Sequence, residues 1–374
     1  MTIGILGGGQ LARMLILAGY PLGLSFRVLD PDPDCPAAPL AELIVGEYDD
    51  DESLTEFSRG VDVVTYEFEN VPAHTAQWLT AHVPVFPPAN ALATAQDRLS
   101  EKRLFRELGI GTPEFEPVDT AEQFRAAVAR LGLPCVLKTR RFGYDGKGQF
   151  VLRVPDDVDR AWTALGAPRG PEAHLILEAF VPFAREVSML GVRARDGATA
   201  IYPVVENVHS HGILSRSIAP APGLAPAAQA AYETAARRVL ERLDYVGVLA
   251  IEFFEMPDGS FLANEMAPRV HNSGHWTIEG AECSQFENHI RAVAGLPLGS
   301  TESRGDSVMY NIVGAHPPRA ELLAIPRVHL HDYGKSARPS RKLGHVTICS
   351  ANTETLKQAG ERVAAILAAS GSRP

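Results

Sequence analysis

The stretch VLAIEFFEMPDGSFLANEMAPR, residues 248–269, predicts a β-hairpin that carries acidic side chains between apolar ones. Two apolar runs, 248–255 and 260–265, flank the turn sequence Pro-Asp-Gly, which is typical of a connection between antiparallel strands. Glu252 lies in the first run and Glu265 in the second. Antiparallel strands joined in this way can bring both carboxylates to one face of the hairpin.

The acidic pair of this hairpin predicts a site for a metal and a nucleotide. Carboxylates in apolar strands are unfavourable unless they are paired with a cation or bound to a metal. Hard oxygen ligands suit Mg²⁺ that carries nucleotide phosphates, and Asn264 could add a neutral oxygen to those of Glu252 and Glu265. A structural ion pair with Arg269 is the alternative interpretation.

A glycine-rich loop upstream of the hairpin predicts a cover for a polyphosphate. The sequence KTRRFGYDGKGQ, residues 138–149, places Lys138 at a strand end, before a Gly-x-x-Gly-x-Gly loop. The backbone N–H groups of such a loop can fold over phosphates, and the lysines supply the opposite charge. The loop lacks the GxxxxGK[ST] pattern and precedes a strand, so it is not a Walker loop. An ordinary basic hairpin is the alternative.

The N-terminal segment predicts a parallel α/β domain. Strand-like residues 2–6 precede a glycine turn, an amphipathic helix and a second strand ending at Asp30, which together form a βαβ unit. The turn Gly7-x-Gly9-x-x-Ala12 with Asp30 matches the dinucleotide fingerprint and would alone suggest a nicotinamide cofactor. Because tight βα turns favour glycine for steric reasons, the turn does not establish that cofactor.

Near the C-terminus the chain carries a concentrated basic loop. Residues 333–345 hold four cations within eight positions of a chain whose formal net charge is −10. Such a concentration suits a phosphomonoester on a small substrate, whereas a solvated basic loop is the alternative. His271 and His275 have no carboxylate or cysteine at metal-ligand spacing, so we interpret both as hydrogen-bonding residues.

Composition narrows the class of protein. The acidic net charge disfavours a polymeric nucleic acid as partner, and no run of about 18 apolar residues predicts a membrane span. The 4 cysteines lie far apart without zinc-ligand spacing, which fits a reducing compartment. We therefore expect a cytoplasmic enzyme that acts on small molecules.

Several motifs together resemble the 5-(carboxyamino)imidazole ribonucleotide synthetases of the ATP-grasp superfamily. They are YEFENVP at 66–72, DRLSEKRLF at 97–105, the 138–149 loop, NEMAPRVHNSGHWT at 264–277 and YGK…RKLGH at 333–345. The resemblance covers nearly the whole chain and implies an ATP-grasp fold of the α/β and α+β classes. Its expected parts are an N-terminal Rossmann-like parallel α/β domain (1–97), an ATP-grasp domain (98–298; lid about 113–190, core about 191–298) and a small C-terminal domain (299–374).

The resemblance also implies a reaction. ATP, bicarbonate and 5-aminoimidazole ribonucleotide would give the carboxyamino product, ADP and phosphate in de novo purine synthesis, with Mg²⁺ or Mn²⁺ as the metal. It favours a homodimer. The rival activities are a formate-dependent glycinamide ribonucleotide transformylase, a nicotinamide dehydrogenase built on the N-terminal turn, and a non-catalytic nucleotide-binding regulator.

Matching to the family implies residue roles. Metal ligands are Glu252 and Glu265. The expected ATP-binding residues are Arg98, Lys138, Gly143, Tyr144, Asp145, Gly146, Lys147, Gly148, Gln149, Glu178, Ala179, Val181, Glu186, His209, Asn264 and Glu265. The expected ribonucleotide-binding residues are Gln10, Leu11, Glu67, Asn272, Lys335, Arg341 and Lys342. Tyr144, Asp145, Lys147 and Arg269 are the expected catalytic residues.

Two positions depart from the family pattern. Ser340 replaces the usual glycine before the Arg-Lys pair, and His211 stands where Asp or Asn is common. A serine at a turn that needs a positive φ would restrict the backbone and could shift Arg341.

Overall fold

The computed structural model describes residues 1–143, 148–167 and 173–372. Within these residues the chain forms three β-sheets with helices packed on them, which confirms the predicted ATP-grasp fold of mixed α/β and α+β class. In the same described ranges, no helix is both long and apolar enough to cross a membrane.

The N-terminal part is a parallel α/β domain, as predicted. Its four-stranded sheet has the order β3-β2-β1-β4, and every pairing in it is parallel. Beyond β4, Val85 adds a single parallel bridge to Val64. The elements are β1 (Thr2–Leu6), α1 (Gln10–Gly19), β2 (Ser25–Asp30), β3 (Glu42–Val45), α2 (Asp51–Ser58), β4 (Val63–Tyr66), α3 (Ala73–His82) and α4 (Ala89–Ala95).

A helix and a small antiparallel sheet follow. Helix α5 (Arg98–Glu107) begins after Asp97, whose carboxylate caps it by accepting from the backbone N–H groups of Leu99 and Ser100. The sheet has the order β5-β8-β6-β7. Its elements are β5 (Phe115–Val118), α6 (Ala121–Leu131), β6 (Cys135–Thr139), β7 (Gln149–Leu152), α7 (Asp157–Ala161) and β8 (Leu175–Ala179).

The remaining strands form one large, mainly antiparallel sheet. Its order is β14-β13-β9-β11-β12-β15-β17-β16, with β10 paired to β9. The segments predicted as core and C-terminal domain therefore share one sheet, and β9 joins it although most of that strand falls in the predicted lid range. The elements are β9 (Arg185–Arg193), β10 (Thr199–Ile201), β11 (Val205–Ser210), β12 (Ile213–Ala219), α8 (Pro226–Arg242), β13 (Gly247–Glu255), β14 (Phe261–Ala267), α9 (Thr277–Gly280), α10 (Gln285–Ala294), β15 (Asp306–Val313), α11 (Arg319–Leu323), β16 (Val328–Asp332), β17 (Lys342–Ser350) and α12 (Thr353–Ala369).

Helices α1 and α10 join the N-terminal domain to the large sheet. Leu15 of α1 and Phe26 of β2 belong to one buried apolar cluster. The same cluster contains Phe286 and Ile290 of α10 and Val248 of β13. This apolar contact fixes the N-terminal turn relative to the β13–β14 hairpin. Residues far apart in sequence can therefore line one cleft.

The predicted hairpin forms and brings both carboxylates to one face. Glu252 and Glu265 are direct partners in the antiparallel ladder, so their side chains leave the sheet on the same face. The register shifts immediately after this pair, and Asn264 is the extra residue of a β-bulge. The bulge lies on β14, which is the edge strand of the large sheet.

Candidate active site

A cleft of about 630 Å³ lies where the N-terminal turn, the small sheet and the large sheet meet. It brings together residues from all three predicted domains, including the hairpin and the basic C-terminal loop. The predicted site residues that line it are Gln10, Leu11, Glu67, Arg98, Lys138, Gly143, Gly148, Gln149, Glu186, His209, Glu252, Asn264, Glu265, Arg269, Asn272, Lys335, Arg341 and Lys342. The predicted Tyr144, Asp145, Gly146 and Lys147 lie outside the described residues.

The two carboxylates of the hairpin have different electrostatic surroundings. Arg98 Nη1 donates to Glu265 Oε2 at 2.7 Å. Burial disfavours the charged form of Glu265, but Arg98 and Lys138 outweigh burial and lower its pKa to about 2. Burial and the neighbouring charge of Glu265 instead raise the pKa of Glu252 to about 7. Glu252 is therefore the carboxylate of the pair whose ionised form is less favoured, and a bound cation would stabilise that form.

His271 does not supply the missing positive charge to Glu252. Its Nε2 lies 3.5 Å from Glu252 Oε1. Burial and the nearby Arg269 lower the pKa of His271 to about 3, so the ring is neutral at physiological pH. The sequence interpretation of His271 as a hydrogen-bonding residue agrees with its contact to the Ser273 hydroxyl at 2.9 Å.

These residues fit a divalent metal that also has ligands from outside the protein. Besides Glu252, whose raised pKa a cation would lower, the side-chain oxygen of Asn264 is buried and has no hydrogen-bond partner in the described part of the chain. The described residues contain no group of three or more His, Cys, Asp or Glu side chains arranged as a complete metal site. Phosphate and water oxygens would have to complete the shell of Mg²⁺.

The alternative ion pair between the hairpin and Arg269 is not formed. Arg269 Nε donates instead to Glu69 Oε2, a residue of the YEFENVP motif to which sequence analysis gave no role. Burial disfavours ionised Glu69, but Arg269 outweighs it and lowers the pKa of Glu69. Arg269 is thus held at the cleft wall by the N-terminal domain.

Side chains of helix α5 form hydrogen bonds with the backbone of strand β14 on both sides of Glu265. The sequence analysis did not predict these contacts. The fully buried Lys102 donates to the carbonyl of Asn264 at 2.6 Å, and Glu101 accepts from the backbone N–H of Met266. These contacts satisfy outward-facing backbone groups of an edge strand. The signal in the sequence was their spacing: Arg98, Glu101 and Lys102 lie on the face that also carries the buried Phe105.

The lid side of the cleft is organised by another buried carboxylate. Glu178 accepts from Lys138 Nζ at 2.8 Å, and Lys102 Nζ lies 3.5 Å away. Burial opposes its ionisation, but the two lysines outweigh it and lower the pKa of Glu178 to about 2. Glu178, Ala179 and Val181, predicted to contact adenine, do not line the cleft. The carboxylate of Glu178 orients Lys138.

The glycine turn at the start of α1 is occupied by the protein's own carboxylate. Glu67 accepts from the backbone N–H groups of Gly9 at 2.6 Å, Leu11 at 3.0 Å and Ala12 at 3.0 Å. A Cβ on Gly9 would lie 2.2 Å from the Glu67 carboxylate, so glycine is required there for close approach. The donors that would bind a dinucleotide phosphate are used, and the nicotinamide interpretation is wrong.

The basic loop meets this turn across the cleft. Lys335 Nζ donates to Gln10 Oε1, which joins the two ends of the chain. Arg341 Nη1 donates to the Ser336 hydroxyl at 3.2 Å. Ser340 adopts φ 62°, so the departure from glycine does place a side chain in the left-handed region, and His211 does the same at φ 52°. The basic residues still line the cleft.

Glu186 and His209 form a pair at the far wall. His209 Nδ1 lies 2.7 Å from Glu186 Oε2. Burial alone would lower the pKa of His209, but the Glu186 carboxylate outweighs burial and raises it. The protonated form of His209 is thereby favoured, and the Glu186 carboxylate can accept further hydrogen bonds.

Three family models match consecutive parts of the chain. A ribonucleotide synthetase preATP-grasp domain matches residues 1–96, an ATP-grasp domain matches 103–286, and a phosphoribosylaminoimidazole carboxylase C-terminal domain matches 307–359. These matches follow the order in which the cleft's walls occur along the sequence.

Curated and solved relatives cover the chain almost completely. The N5-carboxyaminoimidazole ribonucleotide synthase of Pseudomonas aeruginosa is 55% identical over 369 residues, covering 99% of this chain and 100% of the relative. The crystal structure of the synthetase from Thermus thermophilus has a TM-score of 0.93 at 55% identity and covers 97% of this chain and 98% of that one. The synthase of Aspergillus clavatus in complex with ADP and 5-aminoimidazole ribonucleotide has a TM-score of 0.89 at 30% identity, covering 98% of each chain. The chain belongs to the N5-carboxyaminoimidazole ribonucleotide synthase family of ATP-grasp ligases.

Proposed function

We propose that this chain carboxylates 5-aminoimidazole ribonucleotide with bicarbonate at the expense of ATP, giving N5-carboxyaminoimidazole ribonucleotide, ADP and phosphate. The observation that carries the proposal is one cleft with an acidic wall at Glu252 and Glu265 and a basic wall at Lys335 and Arg341. An acidic pair suits a metal-bound triphosphate, and a basic cluster suits a phosphomonoester. A ligase that joins two phosphate-bearing substrates needs both.

The nucleotide half is built from the hairpin, α5 and the lid. Lys138 is aimed at the cleft by Glu178, and Arg98 can exchange its contact with Glu265 for a phosphate oxygen. When bound, Mg²⁺ would be held by Glu252 and Glu265 and would neutralise charge on the phosphate oxygens. The Glu186 carboxylate can accept from ribose hydroxyls while His209 steadies it, and backbone groups of Ala179 and Val181 are proposed for adenine.

The ribonucleotide half lies between the two ends of the chain. Lys335, Arg341 and Lys342 supply positive charge for the phosphate, and Gln10 holds Lys335 toward the N-terminal turn. Leu11 and Glu67 form the wall of that turn, and Asn272 closes the opposite side. The turn therefore serves as a substrate wall, since its N–H groups already bind Glu67.

The reacting groups meet between these halves. Bicarbonate needs activation by phosphate transfer before the exocyclic amine can capture its carbon. Arg269, fixed by Glu69, offers a guanidinium to an anion at the junction. Tyr144, Asp145 and Lys147 of the glycine-rich loop remain proposed catalytic neighbours of that anion. A homodimer in the cytoplasm also remains a proposal.

The activity is tested by following ADP release from the purified protein. We expect release to require 5-aminoimidazole ribonucleotide, bicarbonate and Mg²⁺ together, with formate unable to replace bicarbonate. The rival transformylase activity would instead need formate and glycinamide ribonucleotide. ADP release that ignores bicarbonate, or that follows formate, would overturn the proposal.

A further inference from the structure

The side chain of Asn272 at the cleft is held from below by buried polar residues to which sequence analysis gave no positioning role. Asn272 and Asn311 exchange two hydrogen bonds, at 3.0 Å and 2.7 Å. Asn272 Nδ2 also lies 3.0 Å from His275 Nδ1. Asn311 is fully buried and His275 almost so. The amide of Asn272 thus has three contacts on its protein side.

A backbone carbonyl fixes which way both amides face. Asn311 Nδ2 donates to the carbonyl oxygen of Leu214 at 2.8 Å. Because a carbonyl only accepts, the nitrogen of Asn311 must face Leu214, and its Oδ1 is left to accept from Asn272. A reversed Asn311 would bring two oxygens together in a buried site. The side-chain nitrogen of Asn272 must therefore face Asn311 Oδ1 and the protein interior, where it donates.

The orientation of Asn272 in turn fixes the protonation of His275. The second hydrogen of Asn272 Nδ2 points at His275 Nδ1, so that ring nitrogen must be an unprotonated acceptor. Burial holds the pKa of His275 well below its usual range, and the neutral ring then carries its proton on Nε2. The Tyr333 hydroxyl lies 3.2 Å from His275 Nδ1 and 2.8 Å from His345 Nδ1. With Nδ1 of His275 unprotonated, the hydroxyl can only donate to that nitrogen, and it then accepts from His345 Nδ1.

We propose that His275 is a positioning residue that makes Asn272 an obligatory hydrogen-bond acceptor toward the substrate. Both N–H groups of Asn272 are used inside the protein, one by Asn311 and one by His275. Only the second lone pair of its Oδ1 remains for the cleft. The partner it recognises is a donor, such as a ribose hydroxyl or an amine. This inference rests on the proposed placement of the ribonucleotide beside Asn272.

Two substitutions of nearly equal shape separate positioning from packing. His275→Asn can place an oxygen acceptor where Nδ1 lies, whereas His275→Leu removes the acceptor. We expect the Leu variant to raise the KM for 5-aminoimidazole ribonucleotide about tenfold, the effect of one neutral hydrogen bond, with the KM for ATP changed less than about twofold. The Asn variant should stay within about threefold of the wild type. Equal increases in both variants would overturn the positioning role.

A matched control is another buried histidine. His289 Nδ1 accepts from the backbone N–H of Val248 at 3.1 Å, and its Nε2 contacts the Thr65 hydroxyl at 2.8 Å, away from the cleft. His289→Leu should lower the thermal midpoint without a selective change in either KM. A selective rise in the ribonucleotide KM for this variant would mean that the readout reports general packing, and the inference would fall.

The tautomer is tested without any reaction. In ¹⁵N-histidine-labelled protein without ligands, His275 should show a protonated Nε2 and a bare Nδ1, and the Nδ1 signal should shift in Asn272→Ala. A protonated Nδ1 on His275 would overturn the proposed positioning of Asn272 by His275, whatever the activity proves to be. If the wild type instead releases no ADP with 5-aminoimidazole ribonucleotide, the proposed function fails and the tautomer result stands separately.

Discussion

Two sets of carboxylates line the same cleft and have different kinds of partner. Glu67 accepts hydrogen bonds from three backbone N–H groups of the N-terminal turn, although burial still raises its pKa. Of the hairpin pair, Glu265 has Arg98, while Glu252 lies 3.5 Å from the neutral His271, and burial and the charge of Glu265 raise the pKa of Glu252 to about 7. The first arrangement is closed and structural. The second leaves Glu252 available to a ligand, which supports the proposed metal and nucleotide site.

The largest expected effect comes from a substitution in the hairpin pair, Glu252 and Glu265. Glu265→Gln should reduce turnover roughly 10³-fold, because a metal ligand and its charge are lost while the side-chain volume is kept. Steady-state ADP release measures the loss, and an unchanged far-UV circular dichroism spectrum shows that the fold is retained. Glu255→Gln on the same hairpin is the control, since Glu255 pairs with Arg185 outside the cleft. Wild-type turnover in the Glu265 variant would contradict the metal assignment.

Substitution of Glu67 should lower the free energy of unfolding. In Glu67→Gln an amide nitrogen replaces an accepting oxygen and faces backbone donors, so we expect about 2–3 kcal/mol loss of unfolding free energy. Urea denaturation of the whole protein measures this loss. Asp62→Asn is the control, because Asp62 accepts from the Thr2 N–H at an exposed site and should change stability by well under 1 kcal/mol. Equal losses in the two variants would show that the contacts of Glu67 with the turn contribute no more to stability than an exposed hydrogen bond.

A third substitution separates the two halves of the cleft. Lys335→Ala should raise the KM for 5-aminoimidazole ribonucleotide by roughly 30-fold, as expected for a lost charged contact to phosphate, and change that for ATP far less. Initial rates with each substrate varied in turn give both constants. Lys357→Ala, on α12 and away from the cleft, should change neither. A defect selective for ATP would move Lys335 to the nucleotide half.

The smallest expected effect has an unusual sign. The pKa of Glu252 is raised from 4.5 to about 7, so the folded protein binds a proton more tightly than the unfolded chain. Ionised Glu252 therefore destabilises the metal-free fold above pH 7. Glu252→Gln should stabilise that fold by about 2 kcal/mol at pH 8, and the gain should shrink as the pH falls from 7 toward 4.5.

The other member of the pair serves as the comparison for that experiment. The pKa of Glu265 is lowered to about 2, so its ionised form stabilises the fold above pH 4.5, and Glu265→Gln should be destabilising at pH 8. Thermal melts of both variants in EDTA decide the matter. If both substitutions shift the midpoint in the same direction, the two carboxylates are not differently satisfied.

Much of the fold was predictable because its signals are local. The β13–β14 hairpin, the parallel N-terminal domain and helix α5 follow from apolar periodicity and turn residues within short windows. The pairing of Glu252 with Glu265 does not, because it depends on the bulge at Asn264. The union of the core and C-terminal strands in one sheet was not predictable in this way. It depends on the pairing of β12 with β15, whose strands are separated by more than 80 residues of intervening chain.

The site shows the same division. The acidic pair and the basic loop were visible as residue types in a pattern, but the partners that decide their chemistry were not. Lys102 and Glu69 belong to quoted motifs and were given no role, and Asn311 gave no local signal at all. Each acts through a contact with a residue distant in sequence, which composition and spacing do not encode.

By itself the sequence determined that Glu252 and Glu265 lie on the two strands of one hairpin, since two apolar runs flank a tight turn. Regular alternation from that turn would pair Glu252 with Asn264, and the β-bulge at Asn264 is what places the two carboxylates on one face. It also determined that the chain carries separate acidic and basic clusters. Only the tertiary structure decided that both clusters line one cleft and that Glu67 closes the glycine turn. The physical reason is that burial, and the partner each charge meets there, depend on long-range packing, whereas strand geometry depends on neighbouring residues.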